Sequence, residues 1–135
     1  FGPEQYVDSP YATVISNWCN SIKEDLPLMI EDDGNQSRDF NYVDNVVEAI
    51  KCASFAEDRF HGDVFNVGNN EQTSLNDILD WFKDRGYEFE LDRRPARVGD
   101  VRHTKADISK IRTIGYAPVC DVWDGLEKTV GWWFD

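Results

Sequence analysis

Residues 93–104 form the most basic stretch of the chain and read Arg93-Arg94-Pro95-Ala96-Arg97-Val98-Gly99-Asp100-Val101-Arg102-His103-Thr104. Seven of the fourteen lysine and arginine residues fall between positions 93 and 112, where two residues are acidic, so the local formal charge is +5 in a chain of net charge -12. Pro95 and Gly99 interrupt the stretch, and this pattern is typical of a loop that receives an anion rather than of a solvated helix face.

The chemistry of this loop points to a ligand with two kinds of group. Arginine suits phosphate because its planar guanidinium donates to two oxygens at once, and each such charge-assisted hydrogen bond is worth about 1.5–3 kcal/mol. Asp100 follows Arg97 by three residues, and its carboxylate can accept hydrogen bonds from sugar hydroxyls. Together they indicate a phosphate and a ribose. A surface patch whose charges offset nearby acids is the alternative, and composition alone leaves both interpretations open.

Length and composition bound the class of protein. The chain has 135 residues, of which 41% are hydrophobic and 13% are aromatic. This length and composition predict one folded domain. The net charge of -12 argues against nucleic-acid or anionic-membrane partners, and no run approaches the roughly 20 apolar residues of a membrane span. The sequence has no signal peptide and begins at Phe1 without a methionine, so we expect it to be a piece of a longer protein.

The cysteines and the absent motifs narrow the chemistry further. Cys19, Cys52 and Cys120 fit neither a metal motif nor a disulfide framework, which favours buried apolar roles in a reducing, cytoplasmic compartment. The sequence contains no GxGxxG, GxxxxGK[ST], HExxH or CxxC pattern, and none of its tyrosines is followed by a lysine four positions later. We therefore predict no metal site and no catalytic residue, and interpret the chain as a binding half.

Hydrophobic periodicity predicts helices and short strands in alternation, an α/β fold. The predicted helices run from a Ser9–Pro10 cap to about residue 25, over 43–53, from a Thr73 cap to Gly86, from Asp107 to Gly115, and onward from Asp121; the predicted strands are 28–30, 63–68 and 87–91. The valine-rich run 63–68 predicts a strand buried on both faces.

Arg38 stands apart from other basic residues. It pairs either with Asp39 or the acidic turn 31–36, or contacts a second phosphate if the fold brings it beside Arg97.

Five segments, in the same order and at plausible spacing, resemble the C-terminal half of the extended short-chain dehydrogenase/reductase family of nucleotide-sugar epimerases and dehydratases. They are FGPEQ at 1–5, SPYATVISNW at 9–18, LPLMIEDDGNQSRDFNYVDNVVEAI at 26–50, DVFNVGNNEQTSLNDI at 63–78 and RPARVGDVRHTKADISKI at 94–111. The likeness covers essentially the whole chain and is greatest to UDP-N-acetylglucosamine 4-epimerases. The implied fold class is the substrate-binding part of a Rossmann-type extended enzyme, with residues 1–135 forming that half.

The resemblance also assigns site residues. It implies that Arg38 and Arg97 bind the diphosphate of UDP, that Asp100 binds its ribose, and that the strand backbone from Leu28 to Ile30 lies along the uracil. Arg38 is thereby favoured as a phosphate contact.

Two positions of the last segment complete the expected site. Thr104 corresponds to the position where the family controls the width of the sugar pocket, and its small side chain is expected to admit an N-acetyl group. We include His103, in the same motif, among the substrate-binding residues. Glu4 departs from the pattern, because the family usually has arginine there.

The implied protein is an NAD-dependent enzyme that removes and returns a C4 hydride on a UDP-sugar such as UDP-N-acetylglucosamine or UDP-glucose. The glycine motif that binds NAD and the catalytic Tyr-x-x-x-Lys belong to the N-terminal half, so this chain alone is expected to be inactive. The helix 43–56 and the strand 63–68 are expected to join the NAD-binding sheet, and without that sheet the strand edge predicts a homodimer. The alternatives are a 4,6-dehydratase or decarboxylase of the same family, a non-catalytic nucleotide-sugar binding module, or an inactive remnant.

Overall fold

The chain alternates helices with short strands, as the periodicity predicts. The computed structural model describes residues 1–7, 12–57 and 60–135. Within these residues lie α1 (Val14–Lys23), β1 (Leu28–Glu31), β2 (Ser37–Arg38), α2 (Val43–Phe55), β3 (Thr73–Ser74), α3 (Leu75–Asp84), β4 (Leu91–Arg94), α4 (Ser109–Arg112) and α5 (Val122–Phe134).

Two pairs of strands organise the molecule. β1 and β4 pair in parallel, with Leu28 opposite Leu91 and Glu31 opposite Arg94, and β2 pairs antiparallel with β3. Leu28 and Ile30 on β1 are 0% and 1% exposed and face the main core, because successive side chains of a strand point to opposite faces. Helices α1, α3 and α5 bury their apolar faces in the same core. A second cluster joins α2 to α4 and the segment that follows it.

One predicted helix cap is confirmed and another is wrong. Asp121 caps α5 as predicted, since its carboxylate accepts from two backbone N–H groups of the first turn. α3 is capped by Ser74 and not by Thr73: Ser74 and Asp77 form a reciprocal capping box, while Thr73 is still extended in β3. The residues predicted to cap and open the first helix, 9–11, lie outside the described ones, and α1 begins at Val14.

Two predicted strands are corrected. Residues 63–68 form no strand, and Val64 is 80% exposed, because no described segment supplies a neighbouring strand to bond with. The strand predicted at 87–91 instead spans Leu91–Arg94. Its register is set by pairing with β1, so polar residues complete it although the apolar run ends at Leu91.

A buried asparagine connects the start of α2 to distant segments. Asn45 is 0% exposed, and its Nδ2 lies 2.8 Å from the side-chain oxygen of Asn69 and 2.8 Å from the carbonyl of Cys120. Its Oδ1 accepts from the backbone N–H groups of Val119 and Cys120 at 2.8 and 3.0 Å. Every polar atom of this buried side chain is satisfied, so the contact fixes α2 against the residues that precede α5.

The glycine in the first half of α5 is required by close packing. A Cβ atom at Gly125 would lie 2.8 Å from the ring of Phe1 and 2.9 Å from the ring of Tyr42. Farther along the same helix, the nearest atom to a Cβ at Gly131 is 3.6 Å away. Glycine lowers helix propensity at both positions, but only Gly125 is compensated by contacts that a larger residue would prevent.

Candidate functional site

A cavity of about 720 Å³ lies between α1, β1 and the loop that follows β4. Arg38, Arg97 and Asp100 all line it, although Arg38 is about sixty residues from the other two in sequence. β2 supplies Arg38 and the loop supplies Arg97 and Asp100. The topology therefore brings together the residue types that the sequence predicted for an anionic ligand.

The loop is shaped by a tight turn. The backbone N–H of Asp100 donates to the carbonyl of Arg97 at 3.2 Å, and Gly99 has φ +85°. A turn with a positive φ at its third residue favours glycine there, and it places its first and fourth residues side by side. The sequence predicted that Arg93 and Arg94 belong to this loop. In the structure they form the end of β4 instead.

One edge of β1 faces the cavity. Leu28 donates its N–H to the carbonyl of Glu90, just before β4, and Asp32 donates to the carbonyl of Arg94 at the end of β4. The backbone groups of Met29 and Glu31 therefore point to the opposite edge. Trp18 donates its indole N–H to the carbonyl of Met29 at 2.9 Å. The predicted contacts Leu28 and Ile30 send their side chains into the core, whereas Met29 and Glu31 line the cavity.

Each cavity arginine is paired with a carboxylate. Arg38 Nη2 donates to both oxygens of Asp100 at 2.9 and 3.0 Å, and Arg97 Nε donates to Glu31 at 2.5 Å. The suggested pairing of Arg38 with Asp39 or the acidic turn is wrong. Asp39 instead accepts from the backbone N–H groups of three residues, which are Asn69, Asn70 and Ala106.

The acidic turn is held by Arg102, which lies outside the cavity lining. Its two terminal nitrogens donate to Asp32 at 3.0 Å and to Asp33 at 2.6 Å. The hydrogen bond from Arg102, together with one from the backbone N–H of Asn35, lowers the pKa of Asp33 to about 2. Asp33 is therefore ionised over the physiological pH range.

Thr104 and His103 lie beside β2 rather than in the cavity wall. Thr104 donates its N–H to the carbonyl of Ser37 at 3.1 Å, and His103 Nδ1 lies 2.9 Å from the hydroxyl of Ser37. Both residues are exposed, and neither is among the described residues that line the cavity. The structure thus places both residues against Ser37, which precedes Arg38 in β2, and outside the cavity lining.

Sequence reasoning missed Glu31 and Gln36 as cavity residues. Glu31 belonged to a stretch interpreted as an acidic turn, yet it is the last residue of β1. Gln36 is 7% exposed and donates to the carbonyl of Glu31 at 2.6 Å. The alternation of Leu28 and Ile30 could have identified position 31 as facing the opposite side of the strand.

The three cysteines have raised pKa values and belong to no metal cluster among the described residues. Burial raises the pKa of Cys19 to about 12, and it also raises the pKa values of Cys52 and Cys120. All three cysteines are free. In residues 1–7, 12–57 and 60–135, no cluster of three or more His, Cys, Asp or Glu side chains has the arrangement of a metal site.

Solved structures of other proteins have the same fold as this chain. The UDP-glucuronic acid 4-epimerase from Bacillus cereus, in complex with UDP-glucuronic acid and NAD, matches with a TM-score of 0.87 and 32% identity over 98% of this chain and 42% of its own. The UDP-N-acetylglucosamine 4-epimerase from Methanobrevibacter ruminantium M1, in complex with UDP-N-acetylmuramic acid, matches with a TM-score of 0.86 and 31% identity over the same shares. The fold is therefore that of one part, about two fifths, of a Rossmann-type extended short-chain dehydrogenase/reductase.

Sequence comparison identifies the family of the chain. A dTDP-4-dehydro-6-deoxyglucose reductase from Escherichia coli is 29% identical over 96% of this chain and 41% of its own length. The profile of the NAD dependent epimerase/dehydratase family matches residues 1–68. The chain belongs to this family, and it spans about two fifths of the length of the relatives it matches. None of its described helices has both the length and the hydrophobicity to cross a membrane.

Proposed function

We propose that residues 1–135 are the substrate-binding part of a longer NAD-dependent UDP-sugar 4-epimerase. The observation that carries the proposal is the meeting of Arg38, Arg97 and Asp100 in one cavity, beside the edge of β1 that does not pair with β4. A cavity of about 720 Å³ is within the range of small-molecule sites. The names of the related structures support a UDP-sugar as ligand and NAD as cofactor of the whole protein.

In this proposal the two arginines hold the diphosphate. A guanidinium donates to two phosphate oxygens in parallel, which fixes the position of the diphosphate as well as its charge. Asp100 accepts from the ribose, and the backbone at Met29 and Glu31 lies next to the base. Holding the nucleotide at these points leaves the sugar free to turn and present either face to the catalytic half.

We place most of the NAD site outside this chain. The chain contains no glycine-rich dinucleotide motif and no Tyr-x-x-x-Lys, so we assign NAD binding and the hydride chemistry to the remainder of the longer protein. In this proposal, UDP binding by Arg38, Arg97 and Asp100 requires neither NAD nor the hydride chemistry.

We further propose that the remainder of the protein packs on the outer face of α2. Four apolar side chains at helical spacing are 40–62% exposed there: Val43, Val46, Val47 and Ile50. Residues 63–68 follow the same helix and lack a partner strand among the described residues. A chain that leaves this face open is expected to self-associate, because association removes the exposed apolar surface from water. Analytical ultracentrifugation of the chain at high concentration tests this, and a strictly monomeric species would argue against the apolar face as a packing surface.

The binding proposal is tested by calorimetric titration of UDP into the chain. Arg97→Gln is expected to weaken binding by about 2 kcal/mol, or about thirtyfold, because it removes a charge-assisted contact to phosphate. Arg94→Gln is the matched control, since Arg94 pairs with Asp92 and does not line the cavity. Equal affinities of the two variants would contradict the proposed phosphate site.

The reaction is tested in the longer protein. Product analysis with UDP-N-acetylglucosamine distinguishes a 4-epimer from the products of a dehydratase or decarboxylase of the same family. Thr104→Tyr is expected to spare UDP-glucose and to penalise the N-acetyl sugar, because the resemblance assigns control of the width of the sugar pocket to this position. An equal loss on both substrates would remove Thr104 from the proposed specificity.

A further inference from the structure

Arg102 joins three parts of the site without lining the cavity. Its guanidinium donates to Asp32 and Asp33, which form the turn after β1. Its backbone carbonyl accepts from the N–H of Ser37 at 2.9 Å and from Arg38 Nη1 at 3.1 Å. One residue thus links the acidic turn, strand β2 and the guanidinium of a cavity arginine.

The loop between β4 and Arg102 has few other attachments. Its residues Val98 and Val101 are 106% and 58% exposed, so the core does not order it. Its charged members Arg97 and Asp100 are held by ion pairs to Glu31 and Arg38. A ligand that engages Arg97 and Asp100 would replace those two pairs, whereas the Arg102 pairs lie outside the cavity and persist.

The ligand-bound loop would then depend on its two ends for order. At one end β4 is bonded to β1, and at the other Arg102 is bonded to the acidic turn. Ordering a flexible loop at the moment of binding weakens affinity, and anchoring it beforehand removes part of that cost.

We infer that Arg102 is a positioning residue for nucleotide binding: its carbonyl holds Arg38, and its guanidinium ties the end of the loop that carries Arg97 and Asp100 to the acidic turn. The inference rests on the proposed function, because it concerns the affinity of the same cavity for a UDP ligand. Arg102 acts through these residues and does not itself touch the ligand.

Calorimetry with UDP tests the inference on three variants of the chain. Arg102→Gln is expected to weaken UDP binding about fivefold while the melting temperature changes little, since exposed ion pairs contribute little to stability. Arg102→Lys keeps the charge but not the fork and is expected to recover part of the affinity. Asp32→Asn removes one of the two pairs, leaves Arg102 in place, and is expected to give a smaller loss in the same direction.

A double-mutant cycle separates positioning from general structure. If Arg102 acts by placing Arg97, then Arg102→Gln has a much smaller effect on UDP affinity in an Arg97→Gln background. Full additivity, or an Arg102→Gln affinity equal to that of the Arg94→Gln control, would overturn the inference while leaving the binding proposal intact. Failure of the unaltered chain to bind UDP would overturn both.

Discussion

Replacing Glu31 by glutamine should strengthen the binding of UDP. Glu31 accepts from Arg97 Nε at 2.5 Å, and both side chains line the proposed nucleotide cavity. The Glu31 side chain is 21% exposed and that of Arg97 is 69% exposed, so the arginine can leave the pair toward solvent or toward a ligand. For Arg97 to bind a phosphate, this pair must open, and the freed carboxylate then lies near a dianionic group.

Two terms set the size of the effect. Opening an exposed ion pair costs about 0.5 kcal/mol. A carboxylate roughly 6 Å from a phosphate charge adds a repulsion of about 0.7 kcal/mol at the dielectric constant of water. Glutamine removes most of both terms and keeps the side-chain volume. The sum of about 1.2 kcal/mol corresponds to roughly sevenfold tighter binding.

The assay is calorimetric titration of UDP into Glu31→Gln and Asp92→Asn variants. Asp92→Asn removes the same charge from a carboxylate that also pairs with an arginine, Arg94, but lies outside the cavity lining. We expect the gain only in Glu31→Gln, and expect it to shrink in 0.5 M salt because repulsion between exposed charges is screened. Equal or weaker binding by Glu31→Gln at low salt would refute the idea that this carboxylate competes with the ligand.

Three further predictions concern stability and ionisation. Gly125→Ala should lower the free energy of unfolding by about 1–3 kcal/mol because its methyl group meets two aromatic rings, whereas Gly131→Ala in the same helix should raise it by about 0.5–1 kcal/mol; urea denaturation of both variants checks this. Asn45→Ala should lower it by about 2–4 kcal/mol, since buried backbone groups lose their partner; a loss below 1 kcal/mol would show that water replaces the side chain. Asp33 has its pKa lowered to about 2 in the folded chain, so its contribution to stability is complete above pH 4 and is lost as the pH falls through 2; NMR titration of the carboxyl group checks this value, and a pKa near 3.8 would contradict the hydrogen bond to the guanidinium.

Local signals in the sequence were sufficient for most of the helices. Asp121 and Gly86 act within one turn of the chain, so their residue types identify the start of α5 and the end of α3. The Thr73 cap was wrong by one residue because β3 keeps Thr73 extended through its bond to a strand far away in sequence. The strand predicted at 63–68 fails for a related reason, since strand formation needs a partner that the run itself does not contain.

The sequence was sufficient to predict several residues of the candidate site, but not which of these residues form ion pairs with each other. The basic loop was evident from its arginines and Gly99, and the resemblance singled out Arg38. The pairing of Arg97 with Glu31 follows from the parallel pairing of β1 with β4, whereas the pairing of Arg38 with Asp100 follows from the backbone hydrogen bonds of Ser37 to Arg102 and Thr104. Such pairings join residues more than sixty positions apart, and no periodicity within either segment specifies them.

The turn that closes on the hydrogen bond from Asp100 to the carbonyl of Arg97 makes loop length a determinant of ligand choice. One residue added or removed between these two positions would rotate the carboxylate away from Arg38, while β4 and the Arg102 anchor would stay in place. Neither change would reach the core, because the loop between the anchors buries no large side chain. Insertions and deletions here are thus a route by which this fold can acquire a different ligand at little cost in stability.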